Sequence, residues 1–357
     1  MHRRPLHASL RLALATIAAW LLAACSTPPP PSPSPVAGPV AAPPSAASAR
    51  AGGRVVGRGE RLLVYVPGDG DTLQGIAARF LGTPDLAWQI AEANDDIGTV
   101  LPGQPLVVPL APPYPLGVTP AGVQAVTILC YHRVGPGLSK MTVSPANFEA
   151  QLAWLAANRY QVIRLDDLAA FLAGRRALPK RAVVITFDDG YESMYRHAYP
   201  LLRKYGMPAT LFIYTDFVGA RDALDWSELG EMWRSGLIDI QAHSKTHRNL
   251  TERAADEGDA AYRQRIETEL KQPRAVIERA LGAAGVKVRH FAYPYGDANL
   301  PVIEAMQRLD YELGLTVNPG GNPFYASPWL LRRVMIYGDH DLDDFKARVN
   351  WRQPVGR

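Results

Sequence analysis

Apolar residues along this chain follow four successive rhythms. From Leu10 to Ala24 they run almost unbroken, and from Thr27 to Gly59 they nearly vanish among prolines, alanines and serines. Between Arg61 and Leu110 a short alternating strand leads into two segments of helical period, and an apolar strand closes the unit. The first helical face is Leu73, Ile76, Ala77 and Phe80, with Asp71 or Thr72 placed to cap it; Pro84 and Asp85 open the second, built on Leu86, Ile90 and Ala93. After a breaker-rich stretch, 111–122, β-branched runs alternate with helical patterns: VTILCYH, then FEAQLAWLAANRY; AVVITF, then MYRHAYPLLRKYG; then ATLFIYT, IDIQAH and VRHFAYP. Strands separated by helices call for parallel pairing. The expected fold class is therefore α/β: a distorted (β/α) barrel over 123–350, preceded by a small βααβ domain over 60–110. In such a barrel the chemistry collects where strands end.

Composition excludes one class of function. With 38 basic and 34 acidic residues the net charge is only +4, part of it from Arg3, Arg4 and Arg11, so no nucleic-acid footprint is indicated. Arg3 and Arg4 followed by the apolar run read as a targeting segment, 1–24, too short and too close to the start for a spanning helix. Residues 25–59 read as a proline-stiffened tether, which at about 3.1 Å per residue reaches on the order of 100 Å.

Four strand ends carry the candidate chemistry: Tyr131-His132, Asp188-Asp189 in TFDDG, His243 with His247 in HSKTH, and Tyr293-Pro294-Tyr295-Gly296. Two adjacent carboxylates at the end of a buried strand repel one another unless each has its own partner. Two histidines and one carboxylate, with a position left for water, form the donor set of a catalytic zinc site. One aspartate then ligates the cation, and the other, turned away from it, stays free as a base. A glycosidase fits poorly, because its two carboxyls flank a bond at least about 5 Å apart. Aromatic faces stack on sugar rings, which makes Trp226, Tyr293 and Tyr295, with Pro294 between the last two, candidates for a substrate groove.

Three resemblances attach to these motifs. The end of the first segment, Leu22-Ala23-Ala24-Cys25, resembles a bacterial lipoprotein signal, which implies lipidation of Cys25, a membrane anchor and, with Ser26 following, an outer-membrane location facing the periplasm. Only Cys130 would remain, so no intramolecular disulfide is expected. GDTLQGIAARF, AEAND and LPGQPLVVP resemble the LysM module, implying that residues 60–110 bind N-acetylglucosamine-containing glycans. TFDDG, HSKTH and FAYPYG resemble the motifs of the polysaccharide deacetylases of NodB-homology type, carbohydrate esterase family 4, from about Val123 to Phe345.

The last resemblance implies Asp188 as general base, Asp189, His243 and His247 as metal ligands, and the backbone N–H of Tyr295 as an oxyanion donor. The chain departs from that family twice. Ala292 stands where an arginine precedes the proline of the third motif, and Arg333 in LLRRVMI is the candidate to replace it. No Leu-x-His closes the chain; ILCYH stands at the front instead, as in the circularly permuted branch that includes poly-β-1,6-N-acetylglucosamine deacetylases, which implies His132 as general acid. The expected function is a metal-dependent hydrolase, with Zn²⁺ the expected ion, removing N-acetyl groups from N-acetylglucosamine units of an envelope or extracellular polysaccharide, peptidoglycan or poly-N-acetylglucosamine. The rival is a catalytically silent glycan-binding envelope lipoprotein.

Overall fold

The computed structural model describes residues 52–349 apart from 113, 121 and 138. The targeting segment, Cys25 and most of the tether lie outside the described residues.

The small domain opens earlier than its sequence pattern indicates. Strand β1 (Arg54–Arg58), in what reads as the end of the tether, pairs antiparallel with β2 (Leu62–Val66), which pairs with β3 (Leu106–Pro109). All five side chains of β1 are exposed, so this edge strand is held by backbone pairing and leaves no apolar signature to read. Helix α1 (Leu73–Leu81) is capped by Thr72, whose hydroxyl accepts from Gly75 N–H at 3.0 Å; Asp71 instead accepts from Tyr65 Oη and Gly68 N–H. A 3₁₀ turn, Pro84–Leu86, enters α2 (Ala87–Ala93), and Leu63, Tyr65, Ile76, Ala77, Ile90 and Val108 close a core of this unit's own. The unit touches the following domain through Glu92, whose carboxylate accepts from Lys180 N–H at 2.8 Å.

The larger domain is built on a curled sheet. Strands β4 (Val126–Tyr131), β5 (Ala182–Phe187), β6 (Ala209–Ile213), β7 (Ile238–Ala242), β8 (His290–Ala292) and β9 (Leu313–Leu315) lie side by side in chain order, all parallel. Every residue of β4 and β5 is buried, as strands covered on both faces require. Helices α3 (Pro145–Ala157), α4 (Leu165–Leu172), α5 (Tyr199–Tyr205), α6 (Trp226–Arg234), α7 (Asp259–Leu281) and α8 (Leu300–Arg308) alternate with the strands.

The chain then returns to its start. β10 (Gly321–Asn322) pairs antiparallel with the beginning of β4, and β11 (Val334–Met335) runs parallel to its end, with Met335 opposite Cys130. Leu331, just before β11, bridges to Leu315 of β9, so one stretch joins both edges of the sheet and closes the distorted barrel. Helix α9 (Leu342–Val349) follows, and Thr127 Oγ1 donates to Val349 O at 3.3 Å. The first and last described parts of the domain therefore meet on one strand.

Candidate active site

The adjacent aspartates follow β5 directly. Asp189 has φ 75° and Gly190 φ 87°, two left-handed residues in a row, and that reversal sends the two carboxylates in different directions. Gly190 has a second constraint: a Cβ there would lie 3.0 Å from Ile213 Cγ2.

Asp188 turns toward the closing stretch. Its two oxygens accept from Arg333 Nη1 and Nη2, both at 2.7 Å, and Cys130 Sγ lies 3.5 Å from Oδ2. The pair is fully out of water, with Arg333 0% and Asp188 2% exposed, and Arg333 Nε also donates to Thr316 O at 2.9 Å. Burial alone raises the Asp188 carboxyl, but Arg333 and then His243 overcome it and hold the group well below the ordinary carboxylate range. Arg333 comes from the return segment and reaches a carboxylate 145 positions away in the chain. The cost of burying each charge is thereby offset by the other. Burial pushes the Cys130 thiol well up, so it acts as a weak hydrogen-bond donor and not as a thiolate.

Asp189 turns to the histidines. Its Oδ1 lies 3.2 Å from His247 Nε2 and 3.5 Å from His243 Nε2, and one ligand atom from each of the three residues lies within 4.8 Å of the others. Donors about 2.0–2.1 Å from a tetrahedral zinc stand roughly 3.3 Å apart, so the spacing fits such an ion. Two further observations agree. Asp189 Oδ1 is buried without a hydrogen-bond partner, and His243 Nδ1 lies 2.7 Å from Ala292 O, which places the ring proton on Nδ1 and leaves Nε2 as a donor of electrons. Burial opposes the charge on Asp189, while His247 and His243 favour it strongly enough to hold its carboxyl below the usual range. Ala292, where the family carries arginine, thus contributes its carbonyl.

The loop bearing the histidines is braced from a helix. Ser244 (φ 75°) and His247 (φ 60°) are left-handed, a strained geometry that needs support. Glu269 of α7, only 4% exposed, accepts from Lys245 N–H and Thr246 N–H at 2.9 Å and from Thr246 Oγ1 at 2.7 Å. His247 N–H donates to Ser244 Oγ at 2.8 Å. Nothing in the sequence marks Glu269, which reads as one more charge on a charged helix.

A cavity of about 380 Å³ opens over these groups, lined by His132, Arg133, Asp188, Asp189, Tyr191, His243, His247, Tyr293, Tyr295 and others. His132, at the end of β4, thus shares the cavity with both aspartates. Tyr295 has φ 62°, is 61% exposed and packs edge-on against His247 at 4.9 Å. An aromatic arc continues from His247 through Tyr214 (5.1 Å) and Phe217 (5.0 Å) to Tyr191 (5.4 Å).

Two groove candidates fall outside the cavity and a third turns its ring inward. Trp226 is the first residue of α6, set by the Asp225 and Glu228 capping box; it packs half-buried against the core and does not line the cavity. Tyr293 touches the cavity, but its ring is 0% exposed and its hydroxyl is tied to Trp329 O at 2.8 Å, so no face remains for a sugar. Pro294 is buried and outside the lining. Short apolar-aromatic segments at strand ends look alike in sequence whether the ring turns inward or out, and here only Tyr295 turns out.

A family profile described as polysaccharide deacetylase matches residues 175–314. The poly-β-1,6-N-acetyl-D-glucosamine N-deacetylase of Staphylococcus aureus is 30% identical over 213 residues, covering 57% of this chain and 70% of that protein. This chain belongs to the polysaccharide deacetylase family. IcaB from Ammonifex degensii superposes with a TM-score of 0.57 at 27% identity, covering 64% of this deacetylase and 97% of that chain. A polysaccharide deacetylase from Bacillus cereus gives 0.53 at 25% identity, with 71% and 74% covered. The distorted barrel of this deacetylase is the fold shared with these structures.

Proposed function

We infer that this deacetylase removes acetyl groups from N-acetylglucosamine units of an envelope polysaccharide, with Asp189, His243 and His247 holding one divalent cation, zinc by the nature of the donors. The observation that carries the reading is the convergence of three ligand atoms beside a second, separately braced carboxylate. A cation held there supplies Lewis acidity toward the acetamide carbonyl and the attacking water. Asp188, kept ionised by Arg333, accepts a proton from that water. Arg333 fixes the orientation of the carboxylate, taking the place of the arginine absent at Ala292. His132 donates a proton to the departing amine, which leaves poorly without one, and the backbone N–H of Tyr295 faces the developing oxyanion. Tyr295, exposed at the cavity, offers the aromatic surface for the sugar.

The rival reading, a silent glycan-binding protein, rested on the missing arginine. Arg333 removes that ground. The small domain fits a LysM module that holds glycan, and a lipidated Cys25 with the proline tether would place the enzyme on the outer membrane, reaching into the periplasm. Acetate release from N-acetylglucosamine oligomers, followed with and without chelator beside elemental analysis of the protein, tests the catalytic reading. About one divalent cation per chain and chelator-sensitive release are expected, with both lost in Asp189→Ala. Activity that survives complete removal of metal would overturn it.

A further inference from the structure

Arg133 is the only lysine or arginine among the described residues that line the cavity. Its position is set twice. The backbone at Arg133–Val134 pairs with Thr142–Val143, with Arg133 N–H donating to Met141 O at 3.2 Å. The guanidinium carbon lies 3.8 Å above the centre of the Tyr191 ring. That ring is itself held, edge-on against Phe217 at 5.4 Å, while the Tyr191 backbone bridges to Ala223. The cation is therefore preorganised in a half-buried place.

Its charge has no counterpart in the cavity. Asp188 is committed to Arg333, and Asp189 to the two histidines and the ion they would hold. A divalent cation in that triad would leave the cavity net positive, which favours anionic ligands. The guanidinium lies over the Tyr191 ring and is also hydrogen-bonded to its phenol, and the remaining N–H donors of the planar group form a fork that matches a carboxylate. The plane also stands next to the reacting centre, since Arg133 and Tyr191 line the same cavity as Asp189 and His247.

We propose that Arg133 on Tyr191 forms a carboxylate subsite inside the catalytic cavity. The proposal deepens the deacetylase reading and rests on it for the nature of the cavity. Two carboxylates present themselves. One is acetate, which hydrolysis of the acetamide generates within the cavity; the other is an acid carried by the glycan, as on the lactyl ether of N-acetylmuramic acid. Either uses the same fork.

The test compares the metal-loaded full chain with Arg133→Gln and Arg133→Lys. Calorimetric titration with sodium acetate in the absence of glycan reads the first source. The ratio of kcat/KM for oligomers containing N-acetylmuramic acid to that for neutral N-acetylglucosamine oligomers reads the second. Loss of one charge-assisted bond predicts about a tenfold fall in acetate affinity if acetate is the occupant, or about a tenfold fall in that ratio if the glycan acid is, with partial retention by lysine. If Arg133→Gln leaves both within twofold, or if every change follows a loss of bound metal or of thermal stability, the subsite does not exist. The acetate arm needs no turnover. A wild-type protein inactive on both glycans would defeat the deacetylase reading and still allow the acetate subsite to be judged.

Discussion

Replacing Arg333 by methionine removes one half of a buried pair while keeping most of the side-chain volume. Asp188 would then sit 2% exposed without its hydrogen-bonded counter-ion, and Thr316 O would lose its donor. Removing one partner of a buried, hydrogen-bonded pair costs about 3–5 kcal/mol. For a domain of this size each kcal/mol lowers Tm by roughly 2–4 °C, so a fall of about 6–20 °C is expected by calorimetry at pH 7. The double variant Arg333→Met/Asp188→Leu buries no unpaired charge and should recover at least about 2 kcal/mol of that loss, because the pair as a whole is close to neutral for stability. Catalysis separates the roles further. Arg333→Met keeps every metal ligand but leaves the base unoriented, so kcat should drop by about 10² or more at unchanged metal content, measured by acetate release beside elemental analysis. An Arg333→Met protein melting within 2 °C of the parent and turning over normally would show that the contact is incidental.

His132→Ala should lower kcat by about 10² to 10⁴ with metal content intact; near-normal kcat would return His132 to packing. Glu269→Ala frees the strained histidine loop, so zinc affinity, read by competition with a chromophoric chelator, should fall about tenfold or more. Glu269→Gln keeps an acceptor for both backbone N–H groups and should restore most of it, whereas equal affinities in all three proteins would deny the brace. At the start of β8, the end of the strands opposite the site, Asp166 accepts from His290 Nε2 at 2.8 Å, and its carboxyl is lowered chiefly by that bond. A depressed folded-state pKa contributes stability above the unfolded value near 3.9, and that contribution is lost as pH falls through the folded value. Asp166→Asn should therefore lose less stability than the parent between about pH 5 and 2 in denaturant titrations; parallel losses would contradict the coupling.

Legibility followed sequence distance and side-chain type. The alternation of β-branched runs with helical periods made the parallel barrel readable, because strands buried on both faces leave unbroken apolar runs. β1 was hidden for the opposite reason: a fully exposed edge strand carries no period. TFDDG and HSKTH announced the donor set, since buried carboxylates and paired histidines need a reason to be there. What separates Asp188 from Asp189 is a left-handed turn, and neither its sense nor the 2.7 Å contacts to Arg333 can be read from spacing. Glu269 escaped notice because a carboxylate on a charged helix looks solvated until its three donors are seen. Trp226 misled because it opens a helix, away from any strand end, and packs half-buried against the core.

The return of the chain onto its first strand bears on the order in which this protein is made. His132 lies at the end of β4, the first strand of the large sheet to emerge during synthesis, whereas Arg333 emerges only after all six parallel strands and stands at the threshold of β11, which pairs with that same β4. Until then Asp188 has no cation to be buried with, so the centre of the barrel resists closing around it. This late stretch is thus the latch of the domain. A chain truncated before Arg333 would retain every ligand of the candidate metal site and still lack a settled core, so incomplete copies would be exposed to proteolysis instead of persisting as stray hydrolases.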